Sequence, residues 1–207
     1  FGLSAIVSLI ITIPAFAYPD VSADYWAAKQ IENLTEKGVI VGYPDGTFQP
    51  DDNVTRAEFA SMAIKALGQE HTTVAQPVKF TDIEASFWAY DAIQKALYFD
   101  LISCPPEGQP FRPDDTVTRG ESISVAVNAL TTEQISKFKA KDVLSKKYAD
   151  TDKIPEWFII PAGKAEILNM LVTIPSKNKA EIQAERPATR AEVAAILYEM
   201  TEQAKLN

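Results

Sequence analysis

Gly42-Tyr43-Pro44-Asp45-Gly46-Thr47-Phe48-Gln49-Pro50-Asp51-Asp52-Asn53-Val54-Thr55-Arg56-Ala57-Glu58 concentrates turn and capping residues in one stretch. Pro44 at the second turn position and Gly46 at the fourth specify a type I reversal. Thr55, with Glu58 three residues on and an apolar stripe following, reads as a capping box. A near copy runs from Gly108 through Thr118-Arg119-Gly120-Glu121. A thinner echo is Arg186-Pro187-Ala188-Thr189-Arg190-Ala191-Glu192.

Working outward from these boxes exposes a triplicated unit. Tyr18-Pro19-Asp20, Phe80-Thr81-Asp82 and Tyr148-Ala149-Asp150 align as unit starts. Trp26, Trp88 and Trp157, the only tryptophans, follow them at similar intervals, and the Thr-Arg pairs close the units. Each unit reads as helix, loop, helix. In the first, Trp26, Ala27, Ile31 and Leu34 recur at helical spacing, with Gly38 as the C-terminal cap. Phe59, Met62, Ala63, Ala66 and Leu67 then line one face of a second helix that ends at Gly68. In the third unit, Pro161 has to fall in the first turn of its helix.

The chain has 207 residues, 46% hydrophobic and 23% charged, which is ordinary globular composition. A net charge of -8 argues against a nucleic-acid binder. Cys104 is the sole cysteine, so an intramolecular disulfide is excluded, and a small, semi-buried residue is the expected role. Residues 1–17 are apolar and uncharged and end in Ala15-Phe16-Ala17. They read as an N-terminally truncated signal peptide cleaved after Ala17, which would leave a protein not integral to the membrane; an uncleaved membrane anchor is the rival reading. The units then fall at 18–68, 80–130 and 148–204. A Lys-rich linker at 131–147 carries Lys137, Lys139, Lys141, Lys146 and Lys147, read as a solvated face.

The boxes pair Thr55 with Glu58, Thr118 with Glu121 and Thr189 with Glu192. Capping accounts for Thr and Glu but not for the Arg between them. At the first helical position an arginine sits beside the positive end of the helix dipole, which costs a few tenths of a kcal/mol. Two explanations stand side by side. Asp51, Asp52, Asp114 or Asp115 neutralises the arginine as a local staple. Alternatively, the guanidinium and the free helix N–H groups bind an external anion.

The combination of aromatic-x-Asp start, Trp, Gly-Tyr-Pro-Asp-Gly-Thr-Phe-x-Pro loop and Thr-Arg-Ala-Glu helix resembles the S-layer homology (SLH) family. The match is nearly complete over 18–68. It is good over 80–130, apart from Cys104-Pro105-Pro106-Glu107-Gly108, and degenerate over 148–204. The resemblance implies a mainly α fold in which three units pack as a three-pronged pseudo-trimer. It also implies a non-catalytic anchoring module, exported to the cell wall, S-layer or periplasmic face of the envelope. Such modules bind wall polysaccharide or modified peptidoglycan through anionic, often pyruvylated, groups in grooves between units. The ligand residues carried over are Arg56, Arg119 and Arg190, with Asp45 and Gly46 in the first turn. Arg56 is expected to matter most, and Arg190 least because its own unit has lost the Pro-Asp-Gly turn. The alternative is an anchoring segment of a larger wall-active hydrolase or porin.

Trp26, Trp88 and Trp157 are expected in the core, given their spacing with residues such as Ile31 and Leu34; sugar stacking is the rival role. His71 is alone in a polar stretch and reads as solvated. Asp45-Gly46-Thr47 with Asp51-Asp52-Asn53 lacks the ligand spacing of a calcium loop. No cofactor or metal is called for. A hydrolase needs positioned carboxylates or a nucleophile with its base, whereas the carboxylates here serve caps and turns, so no enzyme is expected.

Overall fold

The computed structural model describes residues 18–102, 106, 108–130, 133–172 and 179–205. The expected signal segment at 1–17 and Cys104 lie outside them. Among the described residues seven helices carry the fold: α1 Ala28–Glu36, α2 Arg56–Ala66, α3 Tyr90–Tyr98, α4 Arg119–Leu130, α5 Lys137–Lys147, α6 Ile159–Ile167 and α7 Arg190–Ala204. Two 3₁₀ turns, Thr151–Lys153 and Glu156–Phe158, precede α6. Among the described residues there is no strand, only isolated bridges. None of their helices is long and apolar enough to cross a membrane.

The helices pair across unit boundaries. The first helix of each unit packs on the second helix of the unit before it: α3 on α2, α6 on α4 and α1 on α7. The last pairing closes the circle, and α7 also touches both α2 and α4. Apolar faces of α2, α4 and α7, with Phe59, Ile64, Ile123, Val127, Val193 and Leu197 buried, share one core with Ile31, Leu34 and Ile93. A single unit would leave half of each such face in water, which is why the three units fold together.

Backbone hydrogen bonds repeat the circle at its centre. Val117 N–H donates to Val54 O at 2.9 Å, Ala188 N–H to Val117 O at 2.9 Å, and Val54 N–H to Ala188 O at 3.0 Å. Bridges Thr55–Thr116, Thr118–Pro187 and Asn53–Thr189 flank this ring.

Each loop is held by the aspartate that opens its unit. Asp20 accepts from Phe48 N–H and Gln49 N–H, Asp82 from Phe111 N–H and Arg112 N–H, and Asp150 from Ile182 N–H and Gln183 N–H, at 2.7–3.1 Å. Gln49, Arg112 and Gln183 all take positive φ, 50–62°. That conformation is costly for residues with a Cβ, and two charge-assisted bonds per loop offset it. The third unit therefore keeps the loop anchor although its turn sequence is lost.

The lysine-rich stretch expected as a linker contains α5, which packs on α6. Gly163 permits the approach, since a Cβ there would stand 2.5 Å from Ala140 Cβ. Ala140 and Leu144 are buried and the lysines face outward; three of them pair with Glu156, Asp142 and Glu166. Pro161 falls in the first turn of α6, where its missing N–H costs nothing.

Candidate functional site

The three arginines occupy equivalent places, each in the company of the next unit. Arg56 Nε donates to Phe111 O at 3.1 Å, Arg119 Nε to Ile182 O at 2.8 Å, and Arg190 Nε to Phe48 O at 2.7 Å. The same loops take the first helix N–H groups. Arg56 N–H and Ala57 N–H donate to Asp115 O and Pro113 O, Arg119 and Gly120 to Arg186 O and Ala184 O, and Arg190 and Ala191 to Asp52 O and Pro50 O. The next N–H in each helix is bound by Thr55, Thr118 or Thr189 Oγ1 at 3.2–3.3 Å. Glu58, Glu121 and Glu192 bond back to the amides of those threonines, so all three boxes are made.

These bonds correct both explanations of the arginine. The leading helix N–H groups are occupied and offer nothing to an anion. The staple exists, but its acceptors are backbone carbonyls of the neighbouring unit rather than side chains of Asp51, Asp52, Asp114 or Asp115.

Two grooves open beside the helices. Groove A, roughly 170 Å³, is lined by Val41, Gly42 and Tyr43 from the first loop, Glu58, Ser61 and Lys65 from α2, Trp88 and Arg190. Groove B, roughly 360 Å³, places Asp100, Leu101 and Ile102 beside Glu121, Ser124 and Asn128 of α4, with Trp157 and Arg56. The two match position for position: Glu58 with Glu121, Ser61 with Ser124, Lys65 with Asn128, Trp88 with Trp157 and Arg190 with Arg56. Each of these two grooves thus draws on three units: a loop and second helix from one, the tryptophan of the next and the arginine of the one before.

That geometry removes the reason for which Arg190 was expected to matter least. Arg190 meets not its own lost turn but the intact first loop, stacked 4.6 Å from both the Tyr43 and Phe48 rings. It is buried, with Nη2 donating to Val41 O at 2.8 Å and Nη1 4.0 Å from Glu58 Oε1. Arg119 is 0% exposed. Its Nη2 bonds Val172 O, and its Nη1 lies 2.9 Å from Glu192 Oε1, an ion pair not aligned as a hydrogen bond. Arg186 also pairs with Glu192. Arg119 is therefore a structural group shut off from ligand.

Arg56 differs from both. It is partly exposed, with its guanidinium 4.6 Å above the Phe111 ring, and among the described residues its two terminal nitrogens have no hydrogen-bond partner. Burial pushes the Arg56 guanidinium down from its ordinary value, with Glu121 opposing; an arginine still keeps its charge. Burial likewise raises the Tyr43 hydroxyl, against the pull of Arg190.

The tryptophans are not core residues. Trp26, Trp88 and Trp157 are 53%, 63% and 51% exposed. Each stands just before its helix begins, where helical spacing does not yet apply, and the following residue, Ala27, Ala89 or Phe158, points inward instead. Each leans on the aromatic ring beside it, Tyr25, Phe87 or Phe158, at 5.4–6.0 Å between centroids. Trp88 and Trp157 stand, thus exposed, in the linings of grooves A and B.

Asp45 and Gly46 form the tip of the first turn rather than a groove wall. Gly46 N–H closes the turn onto Tyr43 O, and Asp45 Oδ1 accepts from Thr47 Oγ1 and N–H, which holds its carboxyl below the usual range. The loop residues that do line groove A are Gly42 and Tyr43. A Cβ on Gly42 would strike the Tyr18 ring and sit 2.6 Å from Thr47 O. Sequence reading also missed Ser61, Lys65, Ser124 and Asn128. Their spacing from Glu58 and Glu121, three and seven residues on, is one helical face and was the available signal.

Residues 17–60 and 79–121 match the S-layer homology domain model. Exoglucanase XynX of Acetivibrio thermocellus is 31% identical over 179 residues, covering 86% of this chain and 16% of that protein. Cell surface glycoprotein 1 of the same organism is 38% identical over 126 residues, covering 56% of this chain and 5% of the relative. Its cellulosome-anchoring protein is 34% identical over 119 residues, covering 56% of this chain and 26% of the relative. The chain thus spans at most 26% of the length of these three relatives.

Proposed function

The chain belongs to the S-layer homology family, and we propose that it is a non-catalytic module fixing itself, and whatever it carries, to the cell envelope. The ligand in this reading is wall polysaccharide or modified peptidoglycan, gripped in the inter-unit grooves by anionic groups such as pyruvate ketals. The observation that carries the proposal is the unpaired guanidinium fork of Arg56 in groove B, beside the exposed Trp157. A fork of this kind makes two parallel bonds to a carboxylate, while an indole face stacks on a sugar ring. Groove A offers a second, smaller seat in which Lys65 supplies the accessible charge, because Arg190 is committed to the fold. The match to a cellulosome-anchoring protein supports the anchoring role.

A second reading rests on a specific ratio. The exoglucanase relative aligns with most of this chain but devotes 16% of its own length to the match. The three units here would then be the anchoring segment of a larger hydrolase, whose chemistry would reside elsewhere.

Arg56→Ala tests the main proposal. Binding to purified cell-wall sacculi is expected to weaken about ten- to a hundredfold, the value of one bidentate charge-assisted contact. Arg56→Lys restores only part of it, since a point charge lacks the fork. Mild acid removal of pyruvate from the sacculi should weaken the wild type to the level of Arg56→Ala. Unchanged binding by Arg56→Ala, with a lowered melting temperature, would reduce Arg56 to a structural staple.

A further inference from the structure

Groove B contains an atom that the fold does not account for. Ser124 Oγ is hidden from solvent and has no hydrogen-bond partner among the described residues, although Ser124 lines the groove and is itself partly exposed. A serine in mid-helix ordinarily bonds back to a carbonyl of the preceding turn. Ser122, two residues earlier on the same helix, does so, its one proton shared between Thr118 O at 3.1 Å and Arg119 O at 3.0 Å. Ser124 makes no such bond. A buried unpaired hydroxyl is a cost to the folded state, and α4 bears it at the serine that lines groove B.

We infer that Ser124 is a specificity-determining residue of groove B, whose hydroxyl turns into the groove and bonds an oxygen of a sugar unit whose carboxylate is held by Arg56. This rests on the proposed reading of the groove as a polymer site. The rotation is one χ1 step, fast on the scale of binding, and it breaks no hydrogen bond because none exists. The neighbouring groups define the ligand class further. Arg56 only donates, whereas Ser124 and Asn128, one turn on, both donate and accept. That set fits one carboxylate with hydroxyls near it. A polyphosphate or phosphodiester chain fits poorly, because the other charged groups of the groove are the carboxylates Asp100 and Glu121. The set suits the carboxylate-bearing wall sugar already proposed for this groove.

The experiment is Ser124→Ala, alone and combined with Arg56→Ala, in the full chain. Binding is measured by co-sedimentation with pyruvate-bearing sacculi, and stability by thermal melting. The expected result is binding weakened about two- to tenfold, the worth of one neutral hydrogen bond. The melting temperature should be unchanged or raised, because an unsatisfied hydroxyl is removed. In the double variant the serine effect should shrink, since the two contacts act on one sugar. Wild-type binding by Ser124→Ala, with weakened binding by Arg56→Ala, overturns the serine inference and leaves the groove reading intact. Wild-type binding by both single variants overturns the groove reading and this inference with it. Weakened binding accompanied by a lowered melting temperature assigns Ser124 to the fold and also overturns the inference.

Discussion

Arg56 and Arg119 hold the same place in the same tetrapeptide and make the same first bond, Nε to the loop carbonyl of the next unit. Beyond that bond they diverge. The Arg56 fork meets an open groove, while that of Arg119 meets Val172 O and a glutamate already shared with Arg186. Arg186 stands where the first two units have Asp52 and Asp115. A charge reversal in the third unit thus accompanies the sealing of an arginine in the second. The role of each motif arginine is decided by the loop it is pressed against rather than by the motif.

The sharpest way to break this comparison is Arg119→Ala. It removes one of the two arginines that pair with the buried Glu192 and leaves two carbonyls without their charged donor, so a loss of about 3–5 kcal/mol is expected. Denaturant unfolding would measure it, and a loss under about 1 kcal/mol would refute the structural role. Asp82→Ala should come next, at about 3 kcal/mol for two charge-assisted bonds to the second loop. Because Phe111 is the platform under Arg56, binding to sacculi should fall as well. Preserved binding would mean that Arg56 does not depend on that loop. Thr55→Ala is the smallest test. Loss of one helix cap should cost about 1 kcal/mol in a thermal melt, with binding nearly unchanged, because the cap lies behind the Arg56 fork.

Much of the fold was legible because short-range chemistry repeated three times. Thr55 with Glu58, and its two copies, marked helix starts. Gly38 and Gly68 marked helix ends, and both take positive φ. The aspartates of the unit starts were visible only as an alignment. Their work, holding a loop 28–33 residues away, has no local signature. The tryptophans misled because each lies two residues ahead of its helix start, where helical periodicity has no force.

The repeated pattern alone therefore determined three helix–loop–helix units and their caps, since turn chemistry, capping and amphipathic spacing act over a few residues. Only the tertiary structure decided which loop each arginine faces. Units interlock cyclically, each first helix on the preceding unit's second helix, and this places Arg190 with the first loop, Arg56 with the second and Arg119 with the third. Exposure follows from that pairing, because a guanidinium surrounded by carbonyls and a carboxylate is consumed by the fold, and one with its fork unpaired is left for a ligand.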